Sequence, residues 1–292
     1  MTPSPFEFLP GPPALRGDRW DGEAGVTPVI FLHGGGQTRR SWRGTAERIA
    51  ATGRPTANYD ARGHGDSDWD PAGDYMLPAF AADLVGVIEV VGAPAILVGA
   101  SLGGLTGLLV AGRRPELVRA LVLVDVVVDL DQEGVKRVRR FMRAHPDGFG
   151  SLAEAAEAVS AYNPNRPPST NIDGLRSNLF QGEDGRWRWH WDPAFVPAVG
   201  APEPLVRIDD LRAAARQVVA PTLIIRGVAS DVVTEAGVAA TMELIPHAET
   251  VAVGRAGHMV AGDNNAVFAD SLEGFIESVD AGPGGPTSPV SA

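Results

Sequence analysis

Residues 97–105 read LVGASLGGL: a run of apolar residues that stops at a serine walled in by small ones. Gly99, Ala100, Ser101, Leu102 and Gly103 spell G-x-S-x-G. A turn that needed glycine only for packing would gain nothing from a hydroxyl. A phosphate-binding turn of the G-x-G-x-x-G type would need glycine where Ser101 stands, and no G-K-[ST] is present for a P-loop. The spacing has a steric reason. A nucleophile held on a tight strand-to-helix turn sits in a strained backbone conformation with its oxygen raised, and the residues two before and two after it approach each other too closely for side chains. The N-terminus of the helix that follows then favours developing negative charge. The bland alternative is a glycine-rich packing turn whose serine caps the helix.

The surroundings of this turn give the fold class. Strands are expected at 28–32 (PVIFL), 54–60, 95–100, 120–125 (ALVLVD), 221–227 (PTLIIRG) and 249–254, with helical spacing at 41–53, 77–92, 102–115 and around 265–279. Short apolar strands alternating with helices predict an α/β fold, a parallel sheet covered on both faces. The first 27 residues read as an antiparallel edge hairpin. Residues 126–215 break the rhythm and read as a mainly helical lid inserted between two sheet strands, so the core is expected from 1–125 and 216–280. The Pro/Gly/Ser-rich tail 281–292 reads as disordered.

The chain has 292 residues, 44% of them hydrophobic, and no cysteine. It can bury a large core, and disulfides, thiolate metal sites and cysteine nucleophiles are excluded. A net charge of −11 argues against unaided binding of nucleic acid or an anionic membrane. No apolar run approaches the roughly 20 residues that span a bilayer. The start, MTPSPFEFLPGPPA, lacks both a basic and an apolar segment of a signal peptide. A cytoplasmic monomer or homodimer is the expectation, with no membrane insertion.

A serine hydroxyl needs a base. Of six histidines, His258 in GRAGHMVAGD follows the last expected strand and so falls at the same end of the sheet as Ser101. His64 in ARGHGDS sits between glycines in a turn; His33 heads HGGG, His190 lies in the insertion, and His145 and His247 neighbour prolines. The ring must be oriented by a carboxylate. Asp231 in IIRGVASDVV, just after the penultimate strand, is preferred to its rival Asp125, which ends ALVLVD. An oxyanion needs donors, and FLHGGGQ supplies them: Gly35 first, Gly34 or Gly36 next, with the N–H of Leu102 as the second donor.

In that order, HGGG, DARGHGDS, GASLGG, RGVASD and GHMV resemble the α/β-hydrolase superfamily across nearly all of residues 25–280. The resemblance implies an eight-stranded, mostly parallel sheet with a lid after the sixth strand, and a Ser101–His258–Asp231 triad. It reads DARGHGDS as a structural turn without a catalytic role. Ser101 stands where the epoxide-hydrolase and haloalkane-dehalogenase branch carries aspartate, which points to ester-type chemistry without metal or organic cofactor. The expected reaction is cleavage of a small, largely apolar carboxylic ester or lactone. A cofactor-free peroxidase or perhydrolase, an epoxide-opening enzyme and a non-turnover small-molecule receptor are the other readings.

In the insertion, RWRWHWD (186–192) alternates, which puts Trp187, Trp189 and Trp191 on one face of an extended segment. They form either an aromatic wall of the substrate pocket, together with His33 and Gly34, or anchors of the lid. The basic run Lys136, Arg137, Arg139, Arg140 and Arg143 reads as a solvated helix with one packed face, with an anionic-substrate gate as the minor alternative.

Overall fold

A computed structural model describes residues 2–162, 172–196, 207–254 and 265–282. Eight strands form the main sheet: β1 (Ser4–Leu9), β2 (Leu15–Trp20), β3 (Val29–Leu32), β4 (Thr56–Tyr59), β5 (Ala95–Ala100), β6 (Val118–Val124), β9 (Thr222–Gly227) and β10 (Glu249–Val253). Their spatial order is β1-β2-β4-β3-β5-β6-β9-β10. The first two form the expected hairpin, β2 joins β4 antiparallel, and every pairing from β4 to β10 is parallel.

The central strands are buried on both faces, and their side chains divide between two apolar layers with a period of two. Leu97, Leu121, Leu123 and Ile224 point to one face, where Leu84, Leu108, Leu109 and Leu211 cover them. Those residues come from α2 (Leu77–Val91), α3 (Leu102–Arg113) and α6 (Ile208–Ala215). Val98, Val122, Val124 and Ile225 point to the other face, against Ile49 of α1 (Arg43–Ala50) and Phe268, Leu272 and Ile276 of α8 (Asn265–Ala281). The anchor of this second layer is aromatic: Trp42 lies 5.3 Å from Phe31 and 5.7 Å from Phe268, ring centre to ring centre. At the rim of the layer, Arg48 of α1 bonds Asp270 and Glu273 of α8, an exposed cluster of small energetic weight.

Between β6 and β9 the chain builds a cap from α4 (Gln132–Arg143), α5 (Leu152–Tyr162), β7 (Leu179–Gln181) and β8 (Trp187–Trp189), and returns through α6 and β9. The helix α4 starts where the Asp131 carboxylate accepts from the Gly134 N–H at 2.8 Å. The cap also contains a two-stranded antiparallel sheet, β7 with β8, beyond its expected helices. The strict alternation of RWRWHWD is a strand pattern, and the segment finds a second partner at Phe149, whose backbone exchanges hydrogen bonds of 2.7 and 2.8 Å with Trp187. On the core side, α7 (Glu235–Leu244) begins at Thr234, whose hydroxyl accepts from Gly237 at 3.0 Å. Among the described residues no helix is long and apolar enough to cross a membrane. Positions 283–292 of the expected disordered tail lie outside the described residues.

Phe268 is fully buried against Trp42. Truncation to alanine is expected to cost about 3–5 kcal/mol, read as a lowered urea midpoint with an unchanged native circular-dichroism spectrum.

Candidate active site

The strand β5 ends at Ala100 and α3 begins at Leu102, which leaves Ser101 alone on the turn with φ 46° and ψ −114°. The flanking glycines answer to steric demand. A Cβ on Gly99 would stand 2.5 Å from the Gly103 carbonyl, and one on Gly103 would stand 2.5 Å from the Leu32 oxygen. A Cβ on Gly104 would meet Val126 at 2.4 Å. No side chain fits at these three positions without moving β5, α3 or the strands beside them.

A second residue shares this backbone strain. Asp125 follows β6 and has φ 47°; it and Ser101 are the non-glycine residues of positive φ among those described. Such conformations persist where surrounding structure enforces them, and they concentrate at functional sites. The two strand ends are neighbours: Ala100 pairs with Val124, and Ser101 N–H donates to the Val124 carbonyl at 3.3 Å. The Asp125 carboxylate is buried and accepts from Gly227 N–H at 3.0 Å and from Ser230 Oγ at 2.6 Å. Asp231, one residue further on, carries its carboxylate to Arg137 of α4 at 2.5 Å, in a pair with both side chains substantially exposed. The preferred carboxylate of the sequence thus forms a rim ion pair, whereas its rival is buried at the strand end beside the serine. His258 lies outside the described residues.

The loop after β3 carries the candidate oxyanion donors. A Cβ on Gly34 would lie 3.5 Å from Ser101 Cβ, and one on Gly35 would lie 3.9 Å from Leu102 Cβ, so this loop and the serine turn face each other. Its amides are not equivalent. Gly34 N–H donates to Gln37 Oε1 at 3.0 Å and Gly36 N–H donates to His64 Nε2 at 3.1 Å. Among the described residues the Gly35 N–H has no acceptor, and Leu102, as the first residue of α3, has no carbonyl one turn back within its helix. Among the described residues, Gly35 is thus the glycine of this loop whose N–H is left without an acceptor, and it faces the start of α3, where the N–H of Leu102 has none within its helix.

Two histidines hold this loop from behind. The His33 ring donates from Nδ1 to Gly34 O at 2.8 Å and accepts at Nε2 from Ala61 N–H at 2.9 Å. His64 donates from Nδ1 to Arg62 O at 2.9 Å and accepts from Gly36. One ring nitrogen must donate and the other must accept, which fixes both rings as neutral Nδ1–H tautomers. Burial pushes both below the usual imidazole range, His64 to about 3, where the neighbouring His33 adds to the effect. His33, expected to line the pocket, is buried with both ring nitrogens bonded to the backbone, and it lines a small cavity with Leu32, Leu102 and Gly103. The turn carrying His64 is fixed by buried charge: Asp60 binds Arg39 and the Asp66 N–H, and Arg62 grips Asp83 with two bonds of 2.6 and 2.7 Å.

The tryptophans separate in role. Trp187 and Trp189 pack into a small core of the cap with Phe149 and Leu179. Trp191 stacks on Trp189, with ring centres 4.8 Å apart, and reaches the loop after β3, where a Cβ on Gly36 would stand 3.2 Å from its ring. A side chain not anticipated from the sequence joins it there. Phe195 lies 3.1 Å from the position of a Cβ on Gly35 and edge-on to His64 at 4.6 Å. The only sequence signal for Phe195 was an aromatic residue after an Asp-Pro turn.

Because His64 is neutral in the fold and protonates near pH 6.5 when unfolded, the unfolded chain binds the extra proton between about pH 6.5 and 3. Stability is complete above this window and falls with acidification through it, by at most about 1.4 kcal/mol per pH unit from this group. Urea midpoints at pH 7, 6 and 5 should decline, and His64→Gln should flatten that decline; an equal slope in the variant would refute the assignment.

The chain is similar to known proteins over most of its length. A sequence profile described as the alpha/beta hydrolase family matches residues 29–271. The esterase Rv0045c of Mycobacterium tuberculosis is 30% identical over 282 residues, which cover 91% of this chain and 87% of that protein. The 2-(acetamidomethylene)succinate hydrolase of Mesorhizobium japonicum is 32% identical over 227 residues, 76% of this chain and 78% of the relative. A crystal structure of E-2-(acetamidomethylene)succinate hydrolase superposes with a TM-score of 0.80 at 26% identity, over 95% of this chain and 99% of that one. With the eight-stranded sheet, the strained serine turn and this match over most of its length, the chain belongs to the alpha/beta hydrolase family.

Proposed function

We propose that the protein is a serine hydrolase that cleaves a carboxylic ester or lactone through an acyl-enzyme. The observation that carries this reading is Ser101 at φ 46° at the start of α3, facing Gly35, whose N–H has no acceptor among the described residues. Ser101 Oγ attacks the carbonyl carbon, its proton passes to His258, and the carbonyl oxygen becomes an oxyanion received by the two amides. Collapse breaks the bond to the leaving oxygen, which takes the proton from His258. A water molecule, deprotonated by the same ring, then releases the acid and restores the serine.

Support for His258 comes from the other five histidines. His33 and His64 are engaged by backbone, His145 packs on Phe149 and His190 on Phe180. His247 bonds the Ala220 carbonyl, ahead of β9 and so at the opposite edge of the sheet. For the carboxylate we favour Asp125 over Asp231. Its burial, its strained φ and its place beside β5 suit a group that must hold an imidazole and stabilise the imidazolium, whereas Asp231 is held by Arg137 at the rim. The esterases and hydrolases among the relatives support a hydrolase acting on a small molecule.

A fluorophosphonate should label the chain at Ser101, and Ser101→Ala should abolish turnover of a p-nitrophenyl ester without loss of folding; label attached elsewhere would reject the nucleophile. Asp125→Asn should lower kcat by about 10²–10⁴-fold, against less than about threefold for Asp231→Asn. The reverse ranking would return the role to Asp231.

A further inference from the structure

The cap segment that follows β8 is fastened to the turn behind the loop after β3. Gly65 N–H donates to the His190 carbonyl at 2.7 Å and Asp192 N–H donates to the Gly63 carbonyl at 2.8 Å, which sets Trp191 antiparallel to His64. The fastening ends in a buried side-chain contact: Tyr75 Oη donates to Asp192 Oδ2 at 2.5 Å. The other oxygen of that carboxylate accepts from Ala194 N–H at 2.8 Å and so fixes the short turn Pro193–Phe195.

This turn aims Phe195. Its ring stands edge-on to His64, Tyr75 and Phe80, with centres at 4.6, 5.9 and 6.1 Å. The same ring abuts Gly35, while Trp191 abuts Gly36 and the His64 ring holds the Gly36 N–H. Two cap side chains and one histidine thus pack against the Gly35–Gly36 stretch that carries the amide used in the mechanism above, although none of the three is required to touch substrate.

We propose that the Tyr75–Asp192 hydrogen bond is a latch through which the cap positions the Gly35 N–H for the oxyanion. Tyr75 and Asp192 are positioning residues, and the inference rests on the acyl-enzyme reading above. The physical reason lies in how sharply an oxyanion donor depends on placement. A bond formed to charge that develops only in the transition state raises kcat, and a small displacement of its donor lowers kcat while leaving ground-state binding nearly intact. A cap that merely walled the pocket would act on KM instead.

The test compares Tyr75→Phe, Asp192→Ala and Asp192→Asn with the wild type. The readouts are kcat and KM for p-nitrophenyl acetate, Ki for phenylboronic acid as a tetrahedral mimic, and the thermal midpoint. Tyr75→Phe and Asp192→Ala should lose about tenfold or more in kcat and a similar factor in boronate affinity, with KM within about threefold and a native far-ultraviolet spectrum. Asp192→Asn, whose amide still caps Ala194 and can donate to Tyr75 Oη, should keep kcat within about threefold. Unchanged kcat in both Tyr75→Phe and Asp192→Ala, or a rise in KM alone, overturns the latch. The wild type separates the two levels. If it is labelled at Ser101 by fluorophosphonate while the variants are unmoved, only the latch fails; if it is neither labelled nor active on esters, the hydrolytic reading fails and takes the latch with it.

Discussion

Contact between two stretches of backbone, with no side chain between them, sets the rest of this site. Gly99 lies against Gly103 and Gly104, and Gly103 lies against the end of β3. Only this approach lets β5 turn into α3 within one residue and forces that residue into a left-handed conformation. The cost in backbone strain is borne by two buried layers. Each central strand is held from both faces, by leucines on one side and by valines, isoleucines and aromatic rings on the other.

Around the loop after β3, neutral side chains do the holding. The chain carries a net charge of −11, yet the loop after β3 is secured by two uncharged imidazoles. Charged pairs stand one layer back, where Asp60 and Arg39, and Arg62 and Asp83, fix the 60–70 turn. The exception is Asp125, whose buried carboxylate lies at the strand end beside Ser101, held by Gly227 N–H and Ser230 Oγ.

Much of this was legible in the sequence, for identifiable reasons. Strands such as ALVLVD are short, apolar and bounded by turn formers, so period and length alone locate them. The glycines of GASLGG mark a close approach, which identified the serine turn. Choosing between Asp125 and Asp231 was beyond a linear reading. Both follow strands, and what distinguishes them is φ at one strand end and the ion pair that Arg137 of a distant helix makes with the other. The sequence ranks Gly35 first in HGGG, but the partners that engage the amides of its neighbours, Gln37 for Gly34 and His64 for Gly36, are seen only in the fold. The alternation of RWRWHWD puts its tryptophans on one face only if the segment is extended; the structure extends it, and its neighbours, Phe149 on one side and the His64 turn on the other, come from segments 38 and 127 residues away by the numbering.

The bridge between His64 and Trp191 bears on how such proteins diversify. A segment inserted between β6 and β9 looks like a module to be swapped freely, with the catalytic platform left untouched. Here the inserted chain reaches back and forms part of the platform's own underside. A chimera that exchanged it at the two strand ends would sever that joint, so new substrate ranges grafted by exchange must carry the 60–70 turn along with the donated segment.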